Sequence, residues 1–239
     1  MAAFKQAWRI TMREFSADRY VALWTLIFIA YLALLTSFVI NAQLERESFK
    51  NPVADFMLLA LIPFLGFIFN HRAFKYLQED SYTQMLAYFR LLPVGARTVI
   101  TSRIQQAILA FLANGTLYFA MLFLTIEPLR VIQSLGFYVS FGLTWIGYGM
   151  IVNSLYMYLE FLVKGKTYFW LSLWIMGSSV IVAAIVRICG GNMILWTRDM
   201  SLAWGVASPA MWLALAAGTG MMLLSSRLML RKLIARDLV

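Results

Sequence analysis

The sequence predicts an all-α integral membrane protein, and three observations carry this prediction. Of its 239 residues, 62% are hydrophobic and only 13% are charged, about half the roughly 25% that a soluble domain carries. The mean hydropathy is +0.76. The apolar residues form long runs that approach or exceed the roughly 20 residues a helix needs to cross the hydrocarbon layer. Because these runs have no polar face, a water-soluble core is excluded.

Residues 1–19 are predicted to form an amphipathic interfacial helix. Apolar side chains recur at helical spacing on one face, and a basic stripe runs along the opposite face. Such a helix lies on an anionic leaflet, where each Lys or Arg contributes about 1 kcal/mol. A secretory signal peptide fits poorly, because the apolar run that follows is too long and no cleavage site closes it. The predicted membrane-interface residues are Phe4, Lys5, Trp8, Arg9, Met12, Arg13 and Phe15.

Residues 20–239 are predicted to form a single transmembrane domain with six spans. The second span is short and contains Pro63, so a kink is expected there. Near the middle of the spans the sequence places no Asp, Glu, Lys, Arg or His, which argues against proton coupling. Sodium coupling through backbone carbonyls stays open. The spans are expected at about 20–40, 53–70, 99–126, 131–157, 167–186 and 205–225.

Small and polar residues mark two of these spans. Ala210, Ala214 and Gly218 recur at steps of four in the last span and form a stripe that allows close helix approach. Polar side chains occur in the fourth span, where interhelical hydrogen bonding is favoured over substrate contact. These polar residues are Tyr148, Asn153 and Tyr156.

The distribution of basic residues predicts the orientation. Fifteen of the 20 Lys and Arg residues fall on one side of the six spans, and the remaining five fall on the other. Because cytoplasmic loops carry the excess of Lys and Arg, the first side is predicted to be cytoplasmic, with both termini on it. The same asymmetry accounts for the net charge of +9 without a nucleic-acid partner.

The polar segment 71–103, between the second and third spans, is predicted to contain a short amphipathic helix from Ser81 to Leu92. Ser81 with Gln84 has the spacing of a capping box, and Pro93 ends the helix. One interpretation is a solvated loop whose apolar face lies on the lipid headgroups. The other is a helix that docks a partner protein. The apolar face consists of Tyr82, Met85, Leu86 and Phe89.

A second irregular element is predicted before the last span, at about 187–204. This stretch is too apolar for a plain loop, and Gly190, Gly191 and Asn192 interrupt its start. It is interpreted as a re-entrant or interfacial element, because irregular backbone at membrane depth must be covered by protein or by a wet cavity.

Catalysis and cofactor binding are not supported by the sequence. His71 is the only histidine and Cys189 the only cysteine, so no metal or redox motif and no intrachain disulfide is formed. The sequence Lys164–Thr167 ends like a phosphate-binding loop, but Glu160 stands where that loop needs glycine. No catalytic, cofactor-binding or metal-binding residue is therefore predicted, and the chain is not expected to be an enzyme.

The segment between the second and third spans also resembles a known family, the type-2 ABC exporter permeases of bacteria. The resemblance is carried by the acidic pair Glu79-Asp80, by Gln84-Met85-Leu86 in the helix, and by the turn Leu92-Pro93-Val94-Gly95-Ala96-Arg97. Members of the family have a similar acidic start, an amphipathic segment and an L-P-V-S-R-like turn. The interfacial helix, the six spans and the half-inserted element before the last span are similar to the family's layout.

The resemblance implies a permease subunit in the bacterial plasma membrane, as a homodimer or as a heterodimer with a second permease. A separate ABC ATPase subunit would hold ATP and Mg²⁺, and residues 79–97, within the cytoplasmic coupling segment 71–98, would be the coupling helix that sits in its cleft. The implied ATPase-coupling residues are Glu79, Asp80, Tyr82, Met85, Leu86, Phe89, Pro93 and Arg97. The expected direction is export, and the apolar bundle suits a lipid, a hydrophobic drug or an amphipathic peptide. A membrane scaffold or sensor subunit and a membrane-embedded lipid-modifying enzyme are the alternatives.

Overall fold

A computed structural model of the protein describes residues 2–17, 19–45, 50–68, 95–132 and 134–235. Within these ranges the chain forms helices and no strand, which confirms the all-α prediction. Three short elements, Ile62–Gly66, Glu127–Arg130 and Gly205–Ala207, accompany the main helices. The main helices are α1 (Ala2–Ala17), α2 (Arg19–Glu45), α3 (Pro52–Leu61), α4 (Ala96–Thr125), α5 (Leu135–Leu162), α6 (Gly165–Ile188), α7 (Met193–Trp204) and α8 (Pro209–Ala235).

Among the described residues, five helices are long and apolar enough to cross a membrane: α2, α4, α5, α6 and α8. They indicate a multi-pass membrane protein. Helix α3 alone spans only about 15 Å at 1.5 Å per residue, and the predicted second span continues beyond the described Ile68. The count of six spans therefore stays a prediction.

One end of the bundle, here called the α1 end, brings together α1, the start of α4 and the ends of α5 and α8. The Thr11 hydroxyl donates a hydrogen bond to the Ser102 carbonyl oxygen at 3.2 Å. The Lys232 ammonium lies 5.6 Å from the centre of the Tyr158 ring. The first and last helices therefore reach the same end of the molecule.

The opposite end, here called the α7 end, brings together the end of α2, the start of α3 and helix α7. The backbone N–H of Asn51 donates to Gln43 Oε1 at 2.5 Å, and the Lys50 ammonium donates to the Gly190 carbonyl oxygen. Helix α7 has only 12 residues, so its length of about 18 Å is too short to cross the hydrocarbon. Its depth in the membrane stays a prediction.

Several helix boundaries differ from the predicted spans, among them those of α5 and α8. Helix α5 begins after Ser134, whose side chain accepts from the backbone N–H of Phe137, and it continues past residue 157 to Leu162. It continues because Glu160 is buried and paired within the bundle. Helix α8 begins at Pro209, since the preceding residues 205–207 form a separate 3₁₀ turn.

Helix α1 has a buried face, an exposed apolar face and an exposed basic face. Ala7 and Thr11 are fully buried where α1 packs against α4. Phe4, Trp8 and Met12 are exposed, so the predicted apolar stripe is not covered by the described part of the protein. Its role at the membrane interface stays a prediction, as does that of the basic stripe.

Candidate functional site

Of the predicted ATPase-coupling residues, only Arg97 belongs to the described part of the chain. It lies exposed in the first turn of α4, at the α1 end. The others, from Glu79 to Pro93, lie outside the described residues, so their roles stay predictions. The described residues instead reveal a second candidate site at the end of helix α3, where the regular helical backbone breaks off at residues 62–67; this break is here called the interruption.

The interruption begins at Pro63. Helix α3 tightens into the 3₁₀ turn Ile62–Gly66, and the chain becomes extended at Phe67, with φ −109° and ψ 145°. Proline has no backbone N–H, so it removes the donor that an α-helix would place on the carbonyl of Leu59. The Tyr148 hydroxyl, from α5, donates to this carbonyl oxygen at 2.9 Å. A side chain thus replaces the missing backbone donor.

Two asparagine side chains donate hydrogen bonds to carbonyl oxygens of the turn and of Phe67, just after it. Asn114 Nδ2, from α4, donates to the carbonyl oxygens of Leu65 at 3.0 Å and Phe67 at 2.9 Å. Asn153 Nδ2, from α5, donates to the carbonyl oxygen of Pro63 at 3.4 Å. A helix that ends in apolar surroundings leaves its last carbonyls without partners unless side chains supply them. The asparagines therefore make the interruption tolerable inside the bundle.

The interruption lies deep in the bundle. Asn114 is 18 residues from the start of α4 and 11 from its end, which places it about 27 Å and about 17 Å from the two ends of the helix at 1.5 Å per residue. Asn114 is 1% exposed and Asn153 is fully buried. The site is therefore far from both ends of the molecule.

Close packing and aromatic rings enclose this site. A Cβ atom at Gly66 would lie 2.6 Å from Asn153 Nδ2 and 2.6 Å from Phe111 Cε2, so only glycine fits there without displacing them. The rings of Phe64, Phe67 and Tyr156 form one cluster, with centroid distances between 5.8 and 6.4 Å. The site thus combines a few amide and carbonyl groups with an apolar aromatic wall.

A separate buried carboxylate joins α3 to α7 at the α7 end. Asp55 is 1% exposed and accepts from the backbone N–H of Met193 at 3.0 Å and of Ile194 at 3.1 Å. Asn192 Oδ1 accepts from the N–H of Leu195 at 2.9 Å. A negative charge is favourable at the N-terminus of a helix, where the backbone N–H groups lack partners. Asp55 therefore fixes the start of α7.

A buried ion pair joins α4 to α5 near the α1 end. Arg103 Nη2 lies 2.6 Å from Glu160 Oε1, and the Glu160 side chain is only 1% exposed. Arg103 Nη1 donates to Gln106 Oε1 at 2.7 Å, and Gln106 Nε2 in turn donates to Glu14 Oε2. This chain of contacts connects α5, α4 and α1.

The arrangement at the interruption suits binding rather than acid–base catalysis. Its polar groups are amides, backbone carbonyls and the Tyr148 hydroxyl, which donate and accept hydrogen bonds but do not ordinarily titrate near neutral pH. Within the described ranges, no three His, Cys, Asp or Glu residues come together in a way that could hold a metal ion.

Sequence reasoning found only part of this site. Asn153 and Tyr148 were predicted to bond between helices, and both donate to carbonyls of the α3 segment. Asn114 was not singled out, although an asparagine within a long apolar run was an available signal. Comparisons of the chain with protein-family models, with curated proteins and with solved structures found no match. The function is therefore inferred from the residues and their geometry.

Proposed function

We propose that the chain is the transmembrane permease subunit of an ATP-driven exporter whose ATPase is a separate protein. The observation that carries the proposal is that the interruption at 62–67 directly precedes the predicted coupling segment 71–98. Transporter sites commonly form where a membrane helix is interrupted and its freed carbonyls face the interior of the bundle. Because only a few residues separate Phe67 from the segment, a force applied to the segment acts directly on the interruption.

The hydrogen bonds at the interruption supply an element that can change its arrangement. Each bond between neutral groups contributes about 1 kcal/mol net, so the bonds from Asn114 and Asn153 can exchange without unfolding α4 or α5. A partner ATPase that moved the coupling segment would favour one arrangement of the turn over another. Coupling between distant sites requires an element of this kind, with two arrangements that both sites can influence.

The proposed cargo is a lipid, a hydrophobic drug or an amphipathic peptide. The interruption offers amide groups and aromatic side chains, and these suit a molecule that is mainly apolar. The proposed assembly contains this chain as a homodimer, or paired with a second permease, together with its ATPase subunits and membrane lipids. The proposed location is the bacterial plasma membrane, with both termini in the cytoplasm.

Cysteine labelling tests the orientation on which the proposal depends. Cys189 is the only cysteine, and it is exposed at the α7 end, which is predicted to face outward. We expect Cys189 to react with a membrane-impermeant maleimide in intact cells. The variant Cys189→Ser/Met85→Cys should react only after permeabilisation, because Met85 belongs to the predicted cytoplasmic segment.

The native protein is the matched control for this measurement, since it carries one cysteine on the predicted outer side. Labelling of Met85→Cys from the external medium would place the coupling segment in the wrong compartment. The proposal of an ATPase-driven permease would then be refuted.

Phe89→Ala tests the coupling itself. An aromatic anchor in a protein interface contributes about 2 kcal/mol or more, so the variant should dock its ATPase roughly 30-fold more weakly. We expect membrane insertion to be retained while ATP hydrolysis is no longer linked to transport. The measurements are the yield in the membrane fraction, and ATP hydrolysis with cargo uptake by inside-out vesicles containing the whole complex.

Phe38→Ala is the matched control for Phe89→Ala. Phe38 lies on α2 with 80% of its surface exposed, outside the coupling segment, so its truncation should leave coupling unchanged. Wild-type coupling in Phe89→Ala would contradict the proposed docking face. A partner that binds without nucleotide-dependent transport would favour the scaffold or sensor alternative, and lipid conversion by the chain alone would favour the enzyme.

A further inference from the structure

One atom at the interruption is left without a partner. Asn153 is fully buried, and its amide group faces the Pro63 carbonyl oxygen. A carbonyl oxygen only accepts hydrogen bonds, so the amide nitrogen must be the atom that faces it. Asn153 Oδ1 then has no hydrogen-bond partner in the described part of the chain. Buried amide oxygens are nearly always hydrogen-bonded, so this oxygen is available to accept from a donor outside the described residues.

A group that binds to Asn153 Oδ1 must be a hydrogen-bond donor. The Asn114 and Tyr148 donors are already engaged, because Asn114 Nδ2 contacts the carbonyls of Leu65 and Phe67 and Tyr148 donates to Leu59. No positively charged side chain is among the described residues that form these contacts. An anionic group would therefore face only acceptors, which is unfavourable in apolar surroundings. A hydroxyl or an ammonium group would supply the bond that Oδ1 lacks.

The rest of the bound molecule must be apolar. Phe64 and Phe67 are both partly exposed, and together with Tyr156 they form the aromatic wall next to Asn153. Asn153 and Tyr156 are three residues apart on α5, so they lie on the same face of that helix. An apolar chain that follows this wall would bring its polar head to Asn153.

We propose that Asn153 Oδ1 receives the hydrogen-bond donor at the head of an otherwise apolar molecule, a hydroxyl or an ammonium group. The apolar part of that molecule lies against Phe64, Phe67 and Tyr156. This inference rests on the proposed function only in treating the bound molecule as cargo. Binding itself requires neither the ATPase nor transport.

The test is equilibrium binding to the purified full-length chain in lipid nanodiscs. The probes are radiolabelled octylamine, octanol and octanoate, which share an apolar chain and differ in the head group. Empty nanodiscs measure partition into lipid, which is subtracted. We expect saturable binding of octylamine, of octanol or of both, and none of octanoate. Octylamine alone would identify the head as ammonium, and octanol alone would identify it as hydroxyl.

The variant Asn153→Leu removes the acceptor at nearly constant volume and should weaken binding about tenfold or more. Thr144→Val is the matched control, since it exchanges a polar for an apolar side chain of the same shape on the same helix. The Thr144 hydroxyl donates only within α5, to Ser140. Thr144→Val should bind as tightly as the native protein.

A measurement on the native protein keeps the test valid if Asn153→Leu does not fold. Octylamine and octanol that carry a diazirine should crosslink to peptides containing residues 62–68 or 150–158. Any one of four results would overturn the inference. They are crosslinks to other peptides, binding of octanoate as tight as that of octylamine and octanol, unchanged affinity in Asn153→Leu, and the absence of saturable binding. If the chain binds these probes but no ATPase co-purifies with it from its native membrane, only the permease proposal is refuted, whereas coupled transport without this binding would refute only the subsite.

Discussion

Arg103→Leu is expected to destabilise the protein by about 3–5 kcal/mol, the cost of removing one partner from a buried ion pair. The change leaves the Glu160 carboxylate, which is 1% exposed, without the guanidinium that lies 2.6 Å away. It also removes the hydrogen bond from Arg103 to Gln106, so the connection between α5 and α4 and the link onward to α1 are both weakened. The measurement is unfolding in mixed detergent micelles, followed by circular dichroism.

The double variant Arg103→Leu/Glu160→Leu is the control for this prediction. Replacing a buried ion pair with apolar residues of similar volume is often neutral or stabilising, so the double variant should recover most of the lost free energy of unfolding. If Arg103→Leu lowered the free energy of unfolding by less than about 1 kcal/mol, the ion pair would be screened by solvent in the way that surface ion pairs are. If the double variant were no more stable than Arg103→Leu, the lost free energy of unfolding would come from lost packing and not from the unpaired charge of Glu160.

Gly218→Ala is expected to lower the free energy of unfolding by about 1–3 kcal/mol, the usual range for overpacking. Helices α5 and α8 are in close contact at Gly147 and Gly218. A Cβ atom at Gly218 would lie 2.6 Å from the Gly147 carbonyl oxygen and 2.9 Å from Met150 Cβ. The oxygen belongs to the backbone of a helix, so relief requires that the two helices separate. Thermal unfolding of the purified protein measures the effect.

Gly220→Ala is the matched control, two residues further along α8. A Cβ atom at Gly220 meets nothing within 4 Å, and alanine favours helix over glycine by up to about 1 kcal/mol. This variant should therefore be neutral or slightly stabilised. If the two alanine variants lost equal stability, the close approach of α5 and α8 would not be the cause.

The features that follow from local periodicity could be predicted from the sequence. The stripe of small residues in the last span is one example. Its members Ala214 and Gly218 do lie against Gly147, because the helical period fixes which side chains share a face. The five membrane-length helices are another, since they depend only on the length and composition of each apolar run.

The partners of individual polar residues could not be predicted in this way. The predicted fourth span ends at residue 157, before Glu160, yet Arg103, 57 residues away, allows Glu160 to be buried inside α5. Asp55 likewise depends on backbone groups 138 residues away. A single sequence states how polar a residue is, but it does not state which helices become neighbours. For the same reason the sequence marks Asn114 and Asn153 as polar residues within apolar runs, but it does not show that both donate to carbonyls of the α3 segment.

Asp55 also bears on how the chain is assembled in the membrane. The N–H groups of Met193 and Ile194 that solvate its carboxylate leave the ribosome 138 and 139 residues later. Until they arrive, the carboxylate must stay in contact with water or headgroups, because an unsolvated charge in hydrocarbon is too unstable. The final seating of α3 is therefore a late event in biogenesis, because it waits until residues 193 and 194 have been translated.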